Sequence, residues 1–334
     1  MNPPVRHAVP PTFDVHLHDD WRMRALVDEV RTGLTAAPKQ LTPRWLYDDR
    51  GSELFDRITR LPEYYPTEAE REILLARSAE IAELTGADTL IELGSGTSDK
   101  TRALLDAFDA TGRLRRFVPF DVSERTLRDA ATTLSERHPG LHVHGVVGDF
   151  HEHLHALPDD GVPVLAFLGS TIGNFYPHER ARFFDEVASW MSDDAWFLLG
   201  VDLVKPVDRL MAAYNDPAGV TAEFTLNLLH VLNRELAADF DPSGFEHVGM
   251  WDPNHTRVDL RLRSLREQHV SIIGADVEVD FGEGEELQVE ISTKFTRDQI
   301  AGELADAGIA VTECWTDTAG DVAVLLASKS TVGT

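Results

Sequence analysis

Residues Thr89 to Thr101 read TLIELGSGTSDKT: a short apolar run closing on Glu92, a turn carrying Gly94 and Gly96, and a polar lead into a helix. In an open α/β sheet, a strand end followed by a glycine turn and a helix N-terminus is where a nucleotide-like ligand sits. A phosphate-cradling loop needs a second glycine five residues after the first, then Lys and Ser or Thr. Here Asp99 occupies that position, ahead of Lys100 and Thr101. The dinucleotide fingerprint G-x-G-x-x-G fails at the same residue. A carboxylate there repels phosphate and puts a side chain where backbone must approach. What fits is E-x-G-x-G, with Glu92 beneath two glycines and no bound phosphate required. S-adenosylmethionine, an adenosine carrying a sulfonium and an amino-acid end, meets that description.

Two downstream acids extend the pattern. Asp121 closes the next predicted strand, RFVPFDV, where a carboxylate can bind both ribose hydroxyls. Asp149 closes the third, where it can accept from an adenine amino group while Phe150 packs on the ring. Either Asp alone is also a good cap for the helix or turn that follows. Both at consecutive strand ends, on the rim of the glycine turn, point to one ligand and to a class I methyltransferase.

The elements that position these residues follow from periodicity. The spacing predicts a helix from Trp21 to about Gly33, a short one around Phe55, Ile58 and Leu61, and a helix from Thr67 to about Leu84 opened by a Thr67/Glu70 capping box. Five strands then alternate with helices over residues 89–204, the βαβ rhythm of a doubly wound, mostly parallel sheet with its strand-end loops on one rim. After Pro206 a helical segment runs to about Leu236, interrupted at Asp216-Pro217, and is followed by strands in RVDLRLRSL and QHVSIIG and an edge strand in GADVEVDFGEGEE. QVEISTKF, a helix from Arg297 to Ala307, VTECWT and VAVLLAS read as a return to the sheet. The first twenty residues are rich in Pro and His and show no sustained period, and their start reads as a loose tail.

The expected division is an α/β cofactor domain, 66–204 plus 291–334, and a smaller α+β substrate-binding module, 1–65 plus 205–290. The pocket is expected between them.

With 334 residues the chain is long enough for about two domains at roughly 150 residues each. Its formal net charge of -26 disfavours nucleic acid and anionic membranes, leaving small neutral or zwitterionic substrates. One cysteine, Cys314, excludes an intramolecular disulfide and a cysteine-rich zinc site. No long apolar run and no signal-peptide pattern occur, so a cytoplasmic location is expected. HLHDD, HVH and HEHLH offer two-residue histidine spacings without a third and fourth ligand set, and no metal is expected.

With ELGSGTSDKTR, FDVS, GDF and FLGSTIGNF in view, the chain closely resembles the EgtD family, the histidine-specific N-α-methyltransferases of ergothioneine biosynthesis. The similarity runs from about Leu34 to the C-terminus and includes LPEYYPTEAE, GVTAEFTLNLL, NRELAADFD and QVEISTKF. It implies trimethylation of the α-amine of L-histidine, through mono- and dimethyl intermediates, to hercynine, with S-adenosylhomocysteine as by-product. It also implies a monomer.

Carried over at matching positions, Tyr47, Gly94, Lys100, Asp121, Asp149 and Phe150 hold the cofactor. Tyr64, Gly169, Asn174, Tyr214, Thr221, Glu290 and Ser292 match the histidine pocket. Asn174 and Tyr47 orient the amine, and no single general base is assigned. Glu290 and Ser292, two apart in a strand, share a face and can hold the N–H and the bare nitrogen of an imidazole. Leu260 stands where the family's pocket wall carries Met, a nearly volume-conserving change expected to tune rather than redirect specificity. Another small-molecule N- or O-methyltransferase, a non-enzymatic adenosyl-ligand sensor, and more remotely a dehydrogenase or P-loop NTPase are the alternatives.

Overall fold

The structure is a computed structural model describing residues 9–17, 20–95, 101–150 and 152–330. The first half comprises β1 (Thr12–Val15), α1 (Trp21–Gly33), β2 (Lys39–Gln40), α2 (Asp49–Ile58), α3 (Pro66–Thr85), β3 (Thr89–Leu93), α4 (Arg102–Ala110) and β4 (Arg116–Asp121). Then follow α5 (Glu124–Arg137), β5 (His142–Val147), β6 (Pro163–Phe167), α6 (Pro177–Trp190), β7 (Trp196–Asp202), α7 (Val207–Tyr214) and α8 (Val220–Leu236). The chain continues through β8 (Phe245–Asp252), β9 (Arg257–Ser264), β10 (Gln268–Ile272), β11 (Val277–Phe281) and β12 (Glu286–Thr293). It closes with α9 (Arg297–Asp306), β13 (Ile309–Thr316) and β14 (Val322–Lys329).

Eight strands form the main sheet in the order β1-β5-β4-β3-β6-β7-β14-β13. Pairing is parallel from β1 to β7, and β14 and β13 run antiparallel at the far side. β3 and β6 are buried at every position, which is why both read as continuous apolar runs rather than alternating ones. Leu90 and Val164 face one core while Ile91 and Leu165 face the other, as a period of two requires. The chain order reverses at β3 and β6, so their carboxyl ends form the switch point at which α/β sheets bind ligands.

A second sheet has the order β2-β12-β9-β8, and β10 and β11 form a separate antiparallel pair. The sheets meet where β12 ends. The Phe295 N–H donates to the Asp202 carbonyl at 2.9 Å and the Val204 N–H to the Phe295 carbonyl at 3.0 Å, stitching the exit of β12 to the exit of β7. Asp216 explains the break in the long helical segment, since its carboxylate accepts from the N–H groups of Val220 (2.9 Å) and Thr221 (2.8 Å) and starts α8.

Several expectations are corrected. Thr12–Val15, where the sequence shows no sustained period, is an edge strand: the Phe13 ring covers Gly145, and the Thr12 hydroxyl bonds His142 (2.9 Å) and His144 (2.8 Å). QVEISTKF enters the four-stranded sheet, paired with β9 and β2, so a boundary at 290/291 falls inside β12. β8 escapes the reading because an edge strand leaves most of FEHVGMWD partly open and shows no clean alternation.

The Thr67/Glu70 capping box does not form. The helix begins at Pro66, a residue suited to a first turn, and the buried Glu70 carboxylate instead accepts from the Gly169 N–H at 2.7 Å. Among the described residues, no helix is long and apolar enough to cross a membrane.

Candidate functional site

The carboxyl ends of β3, β4, β5, β6 and β7 carry, in turn, Gly94, Asp121, Asp149 with Phe150, the Gly169–Asn174 loop and Asp202. Gly94 has φ +65°, and its N–H and that of Ser95 donate to the Phe120 carbonyl at 2.8 and 3.2 Å. Among the described residues nothing lies within 4 Å of where a Cβ would stand on Gly94, so it is the left-handed backbone that favours glycine here. Beneath it, Glu92 is buried and accepts from the Thr101 hydroxyl at the start of α4, bracing the two ends of the turn. Gly96, Asp99 and Lys100 lie outside the described residues.

Asp121 accepts from the Ser123 N–H at 2.9 Å, and Ser123 in turn caps α5. Its carboxylate therefore has one oxygen fixed at the rim. Asp149 is 5% exposed and accepts from the Arg44 guanidinium at 3.2 Å, a partner absent from the sequence reading. Arg44 also pairs with Glu29 at 3.3 Å. Phe150 belongs to an aromatic cluster with Phe167, Phe175 and Phe183, at ring separations of 5.5, 5.9 and 6.3 Å. A left-handed glycine at the end of β3 and the carboxylates of Asp121 and Asp149 at the neighbouring strand ends fit an adenosyl ligand that brings hydroxyl and amino donors and no phosphate.

Beyond β6 the backbone turns sharply, with Gly169 at φ +77° and Ser170 at φ +56°, into a single 3-10 turn from Thr171 to Asn174. Glu70 holds the first of these by its N–H. The turn lies directly on β12, which puts Asn174 beside the strand that carries Glu290 and Ser292. Asn174 is partly open and makes no side-chain hydrogen bond among the described residues. Leu260, 2% exposed, is the cross-strand neighbour of Glu290.

Ser292 lies 2.9 Å from the Tyr214 hydroxyl, and both bond the ammonium of Lys294 at 2.7 Å. Edge-to-face contacts then run from Tyr214 to Tyr64 (6.4 Å), from Tyr64 to Phe55 (6.2 Å), from Phe55 to Tyr47 (5.4 Å) and from Tyr47 to Phe224 (5.3 Å). Tyr47 is held in place through its neighbour Asp48, which caps α2, accepts from Asn227 at 2.7 Å and pairs with Arg234 at 2.9 Å. Thr221 is buried in the first turn of α8.

Electrostatics bind this group together. Burial, then Glu290 and the neighbouring phenols, push the Tyr47 hydroxyl well above its ordinary range, although the residue as a whole is 38% exposed. Tyr64 and Tyr214 shift the same way, burial first. All three phenols thereby favour the protonated form. Burial pushes the Glu290 carboxyl up to about 7, against the attraction of Lys294. Asp202 is the opposite case: burial favours its neutral form, but Lys294 and Lys205 outweigh it and hold the carboxyl below its ordinary value.

The sequence reading missed Arg44, Glu70, Asp202 and Lys294. One was within reach: in E-I-S-T-K the alternation that pairs Glu290 with Ser292 also carries Lys294 to their face. Among the described residues, no group of three or more His, Cys, Asp or Glu is placed to hold a metal ion.

Residues 26–329 match the family model described as histidine-specific methyltransferase, SAM-dependent. The chain belongs to this family. It is 52% identical to the histidine N-alpha-methyltransferase of Mycolicibacterium smegmatis, covering 94% of this chain and 98% of that one. The corresponding protein of Mycobacterium tuberculosis is 51% identical with the same coverage. Ergothioneine biosynthesis protein 1 of Neurospora crassa is 29% identical over 89% of this chain and 35% of its own length. Family membership makes the cofactor S-adenosylmethionine and the fold that of a methyltransferase.

Proposed function

We propose that the protein transfers methyl groups from S-adenosylmethionine to the α-amine of L-histidine, three in succession, giving hercynine for ergothioneine biosynthesis. The observation that carries the reading is that Tyr214 bonds Ser292 on the strand that also carries Glu290, while the turn ending in Asn174 rests on that same strand, one strand end away from Gly94. The eight-stranded sheet serves the cofactor through Gly94, Lys100, Asp121, Asp149 and Phe150, with Tyr47 reaching across. The four-stranded sheet with α2, α7 and α8 serves the amino acid.

S-adenosylmethionine, when bound, supplies an electrophilic methyl on a sulfonium centre. The chain's residues present the amine to it. Asn174 holds the substrate carboxylate, Glu290 and the Ser292–Tyr214 pair hold the ring, Tyr64 closes over it, and Leu260 forms the wall behind Glu290. Fixing the molecule at both ends leaves the α-amine one orientation, and alignment of this kind supplies much of the rate. Asn174 and Tyr47 direct the lone pair. A neighbouring positive charge lowers the amine pKa, so the neutral nucleophile forms in the complex and its proton leaves to water. After the last transfer, the aromatic faces of Tyr47, Tyr64 and Phe55 stabilise a permanent cation.

The test is amino-acid preference. Wild-type protein is expected to methylate L-histidine in strong preference to L-phenylalanine or L-glutamine, and Glu290→Ala to lose most of that preference. An unchanged preference in the variant contradicts the placement of the imidazole.

A further inference from the structure

Lys294 is 0% exposed, yet it is surrounded by polar partners rather than by an apolar core. Its ammonium donates to the Tyr214 hydroxyl and to Ser292 Oγ, each at 2.7 Å, and pairs with Asp202 Oδ2 at 2.8 Å. Three N–H bonds meet three acceptors. The two hydroxyl oxygens stand 2.9 Å apart, so one hydroxyl hydrogen lies between them. Two hydroxyls carry two hydrogens. With both oxygens already accepting from Lys294, the remaining hydrogen has to point away from the ammonium.

We propose that Lys294 is a positioning residue that sets the hydrogen-bond polarity of the ring pocket, making the Ser292–Tyr214 pair a donor of one hydrogen opposite the acceptor Glu290. This rests on the reading of Glu290 and Ser292 as the ring's partners. A pocket with one donor and one acceptor matches a neutral imidazole, which has one N–H and one bare nitrogen. It rejects an imidazolium, whose second N–H would face a donor with a buried cation behind it. It also rejects a phenyl ring, which leaves both pocket groups unpaired.

The fold holds Lys294 firmly for this task. Its backbone N–H donates to the Thr256 carbonyl at 2.8 Å, and the next residue is stitched to β7. Asp202 is fixed from other sides, by the Tyr65 hydroxyl at 2.7 Å and by Lys205. Loss of Lys294 therefore leaves a balanced Asp202–Lys205 pair rather than a lone buried charge, and Lys294→Met is expected to fold. The charged and titratable groups facing Lys294 are Asp202, Lys205, Glu290 and Tyr214.

The test is steady-state methylation of L-histidine by wild type, Lys294→Met, Ser292→Ala and the double variant, across the ring's ordinary pKa of about 6.5. S-adenosylhomocysteine affinity by calorimetry reports folding. Lys294→Met is expected to raise the histidine KM about tenfold, the size of one lost hydrogen bond, with kcat changed far less and S-adenosylhomocysteine affinity kept. Ser292→Ala is expected to cost about tenfold in wild type but only about twofold in the Lys294→Met background, because the hydroxyl there is no longer a fixed donor.

Independent, multiplying penalties, or a Lys294→Met KM equal to wild type, overturn the inference. If Ser292→Ala and Glu290→Ala leave the histidine KM unchanged, it is the reading of the ring pocket that fails instead. Should Lys294→Met not accumulate as folded protein, Lys294→Gln, which keeps one amide donor, carries the same comparison with an intermediate KM expected and an unchanged KM contradictory.

Discussion

Gly173 presses on the backbone of Thr293, where a Cβ on the glycine would stand 2.8 Å from the threonine carbonyl oxygen. The 3-10 turn that ends in Asn174 thus rests on the strand that carries Glu290 and Ser292, and no side chain fits between them. Gly173→Ala has to lift the turn. An ångström of misplacement at a positioned group can cost about a hundredfold. We expect kcat/KM for histidine to fall by about ten- to a hundredfold, with S-adenosylhomocysteine affinity kept; wild-type kinetics in the variant contradict the contact.

Glu290 gives a pH-dependent stability with a definite sign. Its carboxyl, ordinarily near 4.5, is raised to about 7 in the folded protein. Below about pH 4.5 it is protonated folded and unfolded. From there to about pH 7 only the native state holds the proton, so its contribution to stability falls as pH rises through that window and is lost above it. Glu290→Gln mimics the protonated form. The variant is expected to match wild type in thermal unfolding near pH 4.5 and to exceed it at pH 8, by at most about 3 kcal/mol. A difference independent of pH contradicts the assignment.

Glu70 braces the loop from the other side. Glu70→Ala leaves the Gly169 N–H without its acceptor, and an unsatisfied buried donor costs about 1–3 kcal/mol. We expect a lower melting temperature together with reduced kcat/KM for histidine, and Glu70→Gln, whose amide oxygen can still accept, to recover much of both. Equal loss in Glu70→Gln contradicts a hydrogen-bonding role.

How far the chain could be read without its fold differs from residue to residue. The five strands and the helices between them were legible, because parallel strands buried on both faces are apolar throughout and their helices keep a 3.6 period. Gly94, Asp121 and Asp149 were legible from their places at consecutive strand ends. The sheet that receives β12 was not, since pairing to β9 and β2 is a long-range choice that leaves no mark in QVEISTKF itself. Glu70 misled in a specific way: Thr-x-x-Glu after a proline matches a capping box, but only tertiary structure puts Gly169 within reach of the carboxylate. Arg44, far from Asp149 in sequence, carried no local signal at all.

Asp121 predicts a separation of the two halves of the site. Asp121→Ala removes the carboxylate proposed for the ribose hydroxyls, and hydrogen bonds to a charged group contribute about 1.5–3 kcal/mol. S-adenosylhomocysteine binding, followed by calorimetry, is expected to weaken at least about tenfold, while the histidine KM at saturating cofactor stays within about threefold. An unchanged cofactor affinity contradicts the role of Asp121.

The most direct measurement is mass spectrometry of L-histidine incubated with the protein and methyl-labelled S-adenosylmethionine. Successive appearance of products carrying one, two and three labelled methyl groups, all on the α-amine with the ring unmodified, is the predicted result. Label on a ring nitrogen, or none on histidine while the protein still binds the cofactor, would contradict the account.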